Sequence, residues 1–167
     1  MIINNIDKEM KIDKETYLAD NITLIGEIET ERNVSIWYGS VIRGDNGKII
    51  IKENSAIEDN TIIHGKVSIG KNCIIGHNAI IHGCTIEDNV LIGMGAIIMD
   101  GAIIKEGSVI GAGSLISKNT IVEKNNVYVG NPGKFVRETN EKDKLYLNKS
   151  IEKYLEFADK QLKKYGG

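Results

Sequence analysis

His64-Gly-Lys-Val-Ser-Ile-Gly-Lys-Asn-Cys-Ile-Ile-Gly-His77-Asn-Ala-Ile-Ile-His82 is the stretch that decides the fold. It holds the 3 histidines of the chain, set inside a repeat. Working outward, Ile57, Ile63, Ile69, Ile75 and Ile81 return every six positions. The step shortens to five at Ile86, then six resumes through Ile92, Ile98, Ile104, Ile110, Ile116 and Val122. Two places before most of them stands a small or β-branched residue, such as Val67, Cys73, Ala79, Val90, Ala96 or Ala102. Gly often follows, as at Gly70, Gly76, Gly93 and Gly111.

Apolar residues at helical spacing are missing here, while β-branched residues and Gly dominate, so the segment reads as short strands broken by turns. Turns at this interval suit a parallel β-helix of hexapeptide repeats. One rung is too small to bury its own apolar face, so the coils must stack. The composition agrees: 18 Gly, 1 Pro and 5% aromatic residues suit a narrow interior filled by Ile and Val. The pattern resembles the left-handed β-helix of the hexapeptide-repeat superfamily, in which three hexapeptides make one triangular coil of about 18 residues.

On that coil length the histidines acquire positions. His64 and His82 each follow a repeat aliphatic, and 82 − 64 = 18, so they occupy one corner on successive coils. Their backbones are then about 4.8 Å apart, the strand spacing, and the two imidazoles can share a metal ion. His77 follows Ile75 by two and lies on the preceding corner. A threefold trimer of parallel prisms brings that corner of one subunit against the other corner of its neighbour. Three histidines with an open fourth position form the catalytic zinc pattern.

The rest of the chain fits one such unit. A length of 167 suggests one domain with an appendage, and a net charge of −2 with no basic stripe before the tail gives no sign of a nucleic-acid partner. No apolar run approaches membrane-spanning length and the amino terminus lacks signal-peptide shape, so a cytoplasmic protein is expected. Cys73 and Cys84 precede repeat aliphatics by two and should point inward as small buried thiols. Residues 1–42 read as degenerate capping coils, with rungs at Tyr17-Leu18, Leu24-Ile25-Gly26 and Val34-Ser35-Ile36. From Ile42 to Ile51 the step is nine, so three extra residues should bulge near Asp45-Asn46-Gly47, a turn signal. Counting rungs places Arg43 on the His64 corner one coil earlier, and Asp59 one coil before His77. Arg43 would then face Glu58 and Asp59 across a subunit interface.

Three motifs sharpen the reading: Trp37-Tyr-Gly-Ser-Val-Ile-Arg43-Gly-Asp45, Ile57-Glu58-Asp59-Asn-Thr-Ile-Ile-His64, and Gly76-His77 followed by His82-Gly83. Together they resemble the gamma-class carbonic anhydrases over most of residues 10–135. The resemblance implies that His64, His77 and His82 bind zinc, or iron(II) or cobalt(II), across a homotrimer interface. It further implies reversible hydration of CO2 to bicarbonate by a metal-bound hydroxide. Arg43 and Asp59 then form an intersubunit pair around bicarbonate, Asp45 is the acid of the Arg-Gly-Asp motif, and Tyr128 matches a substrate-side tyrosine. The chain departs from the family's pattern at Glu58, where Gln is common, and at Ala56, where Asn is common. It also lacks the acidic loop that carries the proton-shuttle glutamate, and Gly130 stands where the family has an Asn.

Asn131-Pro132-Gly133 ends the coils. Asn140 is an N-cap candidate, and Leu147, Ile151, Tyr154, Leu155, Ala158 and Leu162 recur at helical spacing. The expected organisation is a left-handed β-helix over 1–135 and an amphipathic helix over 136–167 packed upon it. Two other functions fit parts of the pattern: a metal-binding homologue with little hydration activity, and a hexapeptide-family acyltransferase.

Overall fold

A computed structural model describes the backbone of residues 2–3 and 9–165 and the side chains of residues 9–164. The segment 4–8, part of the stretch read for a signal peptide, lies outside the described residues, as do residues 166 and 167.

The chain is a parallel β-helix of stacked short strands with one carboxy-terminal helix, Glu141–Tyr165. Each hexapeptide lays down a strand of two or three residues, such as Ile62–His64, Ile74–Ile75 and Ile80–His82. The repeat aliphatics point inward and are wholly buried: Ile42, Ile63, Ile81, Ile98 and Ile116 stack through one face, and Ile36, Ile57, Ile75, Ile92 and Ile110 through another. The corners need the left-handed backbone region. Asn33, Asn54, Asn72 and Asn89 supply it, all at positive φ. Asn is among the few non-Gly residues that enter this region at modest cost. Their side chains also form a ladder, Asn33 donating to Asn54 at 3.0 Å, Asn54 to Asn72 at 3.0 Å and Asn72 to Asn89 at 3.3 Å.

The interval between Ile42 and Ile51 resolves differently from the expected bulged turn. Val41–Ile51 is one continuous strand of 11 residues. It pairs with Ile62–His64 over its first half and with Val67–Ile69 over its second. On its other side the register against Thr23–Thr30 shifts between Gly26 and Ile28, which absorbs the extra length. Among the described residues, two faces of the prism are thereby joined into one 11-stranded sheet, while the third face is a separate 8-stranded sheet. Backbone pairing pays better here than a turn, because each extended residue finds partners on the coils above and below.

Gly44 sits in that long strand against the previous coil, where an added Cβ would collide with the carbonyl oxygen of Glu27. A Gly44→Ala variant is therefore expected to lose about 1–3 kcal/mol by forcing the two backbones apart. Urea denaturation followed by circular dichroism measures the loss, and an unchanged midpoint would contradict it.

Asn140 caps the helix as expected. Its Oδ1 accepts the backbone N–H of Lys142 at 2.9 Å, and its own N–H donates to Asp143 at 2.8 Å. The reciprocal pair satisfies helix-start donors that have no partner inside the helix. Leu147, Ile151 and Ala158 are buried against the third face. Trp37 anchors the far end through ring contacts with Tyr154 at 5.4 Å and Phe157 at 6.4 Å. Cys73 and Cys84 are buried and free, and burial pushes both thiols up to about 12, so neither is a ready nucleophile. No helix of the described residues is long and apolar enough to cross a membrane.

Candidate metal centre

Strand register places the first edge of the site. His82 lies opposite His64, and His64 opposite Arg43, on three successive coils. The Ile-Ile-His sequence explains the placement: alternation along each strand buries Ile63 and Ile81 and turns the preceding isoleucine outward, and each histidine follows at the corner. His64 Nδ1 and His82 Nε2 face each other at 3.1 Å. A tetrahedral zinc with bonds of about 2.0–2.1 Å holds its nitrogens roughly 3.3–3.4 Å apart, so this pair fits a shared divalent cation.

The second edge forms on the neighbouring corner. Ile57 and Ile75 pair in register, so Glu58 and Asp59 stand one coil before Gly76 and His77. His77 Nδ1 meets Asp59 at 2.9 Å and Nε2 meets Glu58 Oε2 at 3.1 Å. Glu58 Oε2 also accepts the backbone N–H of His77 at 2.9 Å. Only 7% of Glu58 is exposed. Tyr154 reaches over from the helix, and its phenol is pushed up by burial and by the charge of the Glu58 carboxylate. A cleft of about 380 Å³ opens beside this group, bordered by His77, Met94, Tyr146 and Lys153.

Every histidine has a carboxylate behind it. Asp45 Oδ1 lies 3.2 Å from His64 Nε2, Asp59 braces His77 Nδ1, and Asp100 Oδ1 lies 2.9 Å from His82 Nδ1. A ligating imidazole commonly spends its second nitrogen on such a carboxylate, which fixes its tautomer and raises its basicity. Asp45 in turn bonds Arg43 at 2.8 Å, and that hydrogen bond holds its carboxyl below the ordinary range. For Asp100, burial pushes upward, but the bond with His82 and the nearby Lys118 carry its carboxyl below the ordinary range.

Sequence reading did not single out Asp100. It stands on the next coil but out of step with the count: that coil is 98 − 81 = 17 residues long, and Asp100 follows Ile98 by two where His82 follows Ile81 by one. Tyr128 is placed apart from both edges. It continues the rung Ile75, Ile92, Ile110, three coils or about 14 Å beyond the His77 corner, and packs on Phe135. Among the described residues no three His, Cys, Asp or Glu side chains converge as a metal-binding group within one chain. The two edges are instead two separate pairs of donor atoms.

The coils and the site together define a hexapeptide-repeat β-helix protein. A family model described as the GMPPB C-terminal domain matches residues 45–151, which places the coils in that family too. A hexapeptide transferase family protein from Anaplasma phagocytophilum has the same fold, with a TM-score of 0.90 and 40% identity over 95% of each chain. A probable carbonic anhydrase of Methanocaldococcus jannaschii is 40% identical over 89% of this chain and 96% of its own length. Gamma carbonic anhydrase 2, a mitochondrial protein of Arabidopsis thaliana, is 37% identical over 94% of this chain, which spans 60% of the plant protein's length. The chain belongs to the gamma carbonic anhydrase family.

Proposed function

We propose that the protein hydrates CO2 reversibly at a divalent cation shared between neighbouring copies of the chain in a homotrimer. The observation that carries this reading is the 3.1 Å approach of His64 Nδ1 to His82 Nε2, each ring braced by a carboxylate. Family membership supports a metal cofactor and carbonic anhydrase-like chemistry. His64 and His82 of one chain and His77 of the next would hold zinc, or iron(II) or cobalt(II). Such a cation, when bound, supplies Lewis acidity that lowers the pKa of water towards about 7.

The chain's own residues supply the rest. Asp45, Asp59 and Asp100 fix the three imidazoles. Arg43 is permanently charged and its side chain is 44% exposed, so it is free to take one oxygen of bicarbonate while Asp45 keeps its guanidinium in plane. The coils carry these groups, and the carboxy-terminal helix brings Tyr154 beside Glu58. Assembly is supported by an apolar stripe beside the histidines. Val41, Ile62, Ile80, Ile97 and Leu115 stand in register on one face, and Ile62, Ile80 and Ile97 are exposed in the single chain. Stacked apolar side chains of this kind mark a contact surface. A cytoplasmic location is part of the same proposal.

Stopped-flow CO2 hydration on protein reconstituted with zinc or, anaerobically, with iron(II) tests the activity. Rates well above a His82→Ala control are expected. Full metal occupancy with no rate above that control would leave a metal-binding homologue without the hydration chemistry, a second reading that the carboxylate of Glu58 beside His77 favours.

A further inference from the structure

We propose that Glu58 is a fourth ligand of the shared cation, so that each copy of the chain contributes one pair of donor atoms from each of its two edges. The inference rests on the metal-centre reading above and concerns the position which that reading leaves open.

The two edges present their donors in the same way. On one, His64 Nδ1 and His82 Nε2 are 3.1 Å apart. On the other, His77 Nε2 and Glu58 Oε2 are also 3.1 Å apart. Both separations suit two donors on adjacent vertices of one coordination shell.

The remaining carboxylates show why Glu58 differs from them. Asp45, Asp59 and Asp100 each occupy the ring nitrogen that points away from a partner donor. His77 therefore already has its supporting carboxylate in Asp59. Glu58 is a second one, and it faces the nitrogen that is left for the cation. A hydrogen bond to an orienting group needs only one carboxylate per imidazole; the extra oxygen at Nε2 has no counterpart at His64 or His82, where the matching place is taken by the other histidine.

Burial points the same way. Glu58 is 7% exposed, and a buried carboxylate is costly without a compensating cation. Its described partners are the backbone N–H and ring of His77, and the Tyr154 phenol lies near enough to feel its charge. These fix the oxygen in place without bringing a permanent positive charge. A divalent cation at Nε2 brings that charge within reach of Oε2. Three imidazoles and one carboxylate then fill a four-coordinate shell at rest, and the hydration proposed above requires Glu58 to give up its place to water.

Cobalt(II)-loaded protein titrated with azide, and followed by visible absorption, tests the assignment. With Glu58 in the shell, azide binds the wild type weakly, because it must displace the carboxylate. In Glu58→Gln and in Glu58→Ala the position opens, and azide should bind at least ten-fold more tightly, with a changed ligand-field spectrum before azide is added. The Ala variant guards against the amide of Gln acting as a substitute donor. Equal azide affinity and equal starting spectra in all three proteins would overturn the assignment while leaving the three-histidine site intact. Failure of the wild type to take up cobalt at all would overturn the underlying metal-centre reading, and this inference with it. The readout is spectroscopic and does not depend on any catalytic rate.

Discussion

Replacing His82 with alanine is expected to empty the metal centre while leaving the fold almost untouched. The His82 side chain is 41% exposed at a corner of the prism, so its removal opens no cavity in the Ile stack behind it. What is lost is one donor of the pair and the far anchor of its bracing bond to Asp100. Changes in the groups that merely brace ligands cost about 10–100-fold in metal affinity, and losing a ligand itself should cost more than about 100-fold by the same scale. Zinc measured after dialysis against a mild chelator should be stoichiometric in the wild type and near zero in the variant, with little change in melting temperature. Asp100→Asn should fall between the two. A His82→Ala protein that keeps full zinc would end the proposal that this histidine is a ligand. One that loses both zinc and its folded baseline would show that the cation holds the structure together rather than merely occupying it.

The parts of this centre that were legible in the sequence are those fixed by integer spacing. A repeat of six with a coil of about 18 places side chains by counting, because every rung is built alike. That is why His64, His82 and Arg43 fall on one edge and Asp59 beside His77, as the register shows. Counting fails wherever the step between rungs changes. Between Ile42 and Ile51 the extra residues looked like a turn, since Asp45-Asn46-Gly47 carries every turn preference. The strand runs straight through, because pairing with two coils outweighs local preference. Asp100 is not legible by counting, because it follows Ile98 by two rather than one and its role depends on a side chain reaching back to His82. Tyr154 could be assigned to the buried stripe of the helix from its spacing, but not to Glu58, since nothing in the sequence fixes how the helix rotates against the prism. The helix itself was plain from Asn140 onward, where cap and apolar stripe agree.

Introducing a charge at Ile80 should take the assembly apart, and the metal should leave with it. Ile80 is the middle of the outward stripe, opposite Ile62 on one side and Ile97 on the other, and is 38% exposed in the single chain. Within the isolated prism its side chain points to solvent, so Ile80→Glu costs only the β-strand preference of isoleucine, about 1 kcal/mol or less. At an interface the same glutamate would be buried against an apolar partner with no counter-charge, a penalty of several kcal/mol per subunit repeated around a closed ring. Sedimentation velocity should therefore show a monomer where the wild type shows a trimer, with an unchanged circular dichroism spectrum. Thr85→Glu, an exposed outward position on another face, should stay assembled. The zinc content then decides how the site is divided. All three histidines remain in Ile80→Glu, yet a separated chain offers only the His64–His82 pair at one edge and the His77 group at the other. Loss of zinc from a folded monomer with every ligand present would locate the centre between subunits. A monomer that retained stoichiometric zinc would place the whole site within one chain, and an unaltered trimer would mean that a different face makes the contact.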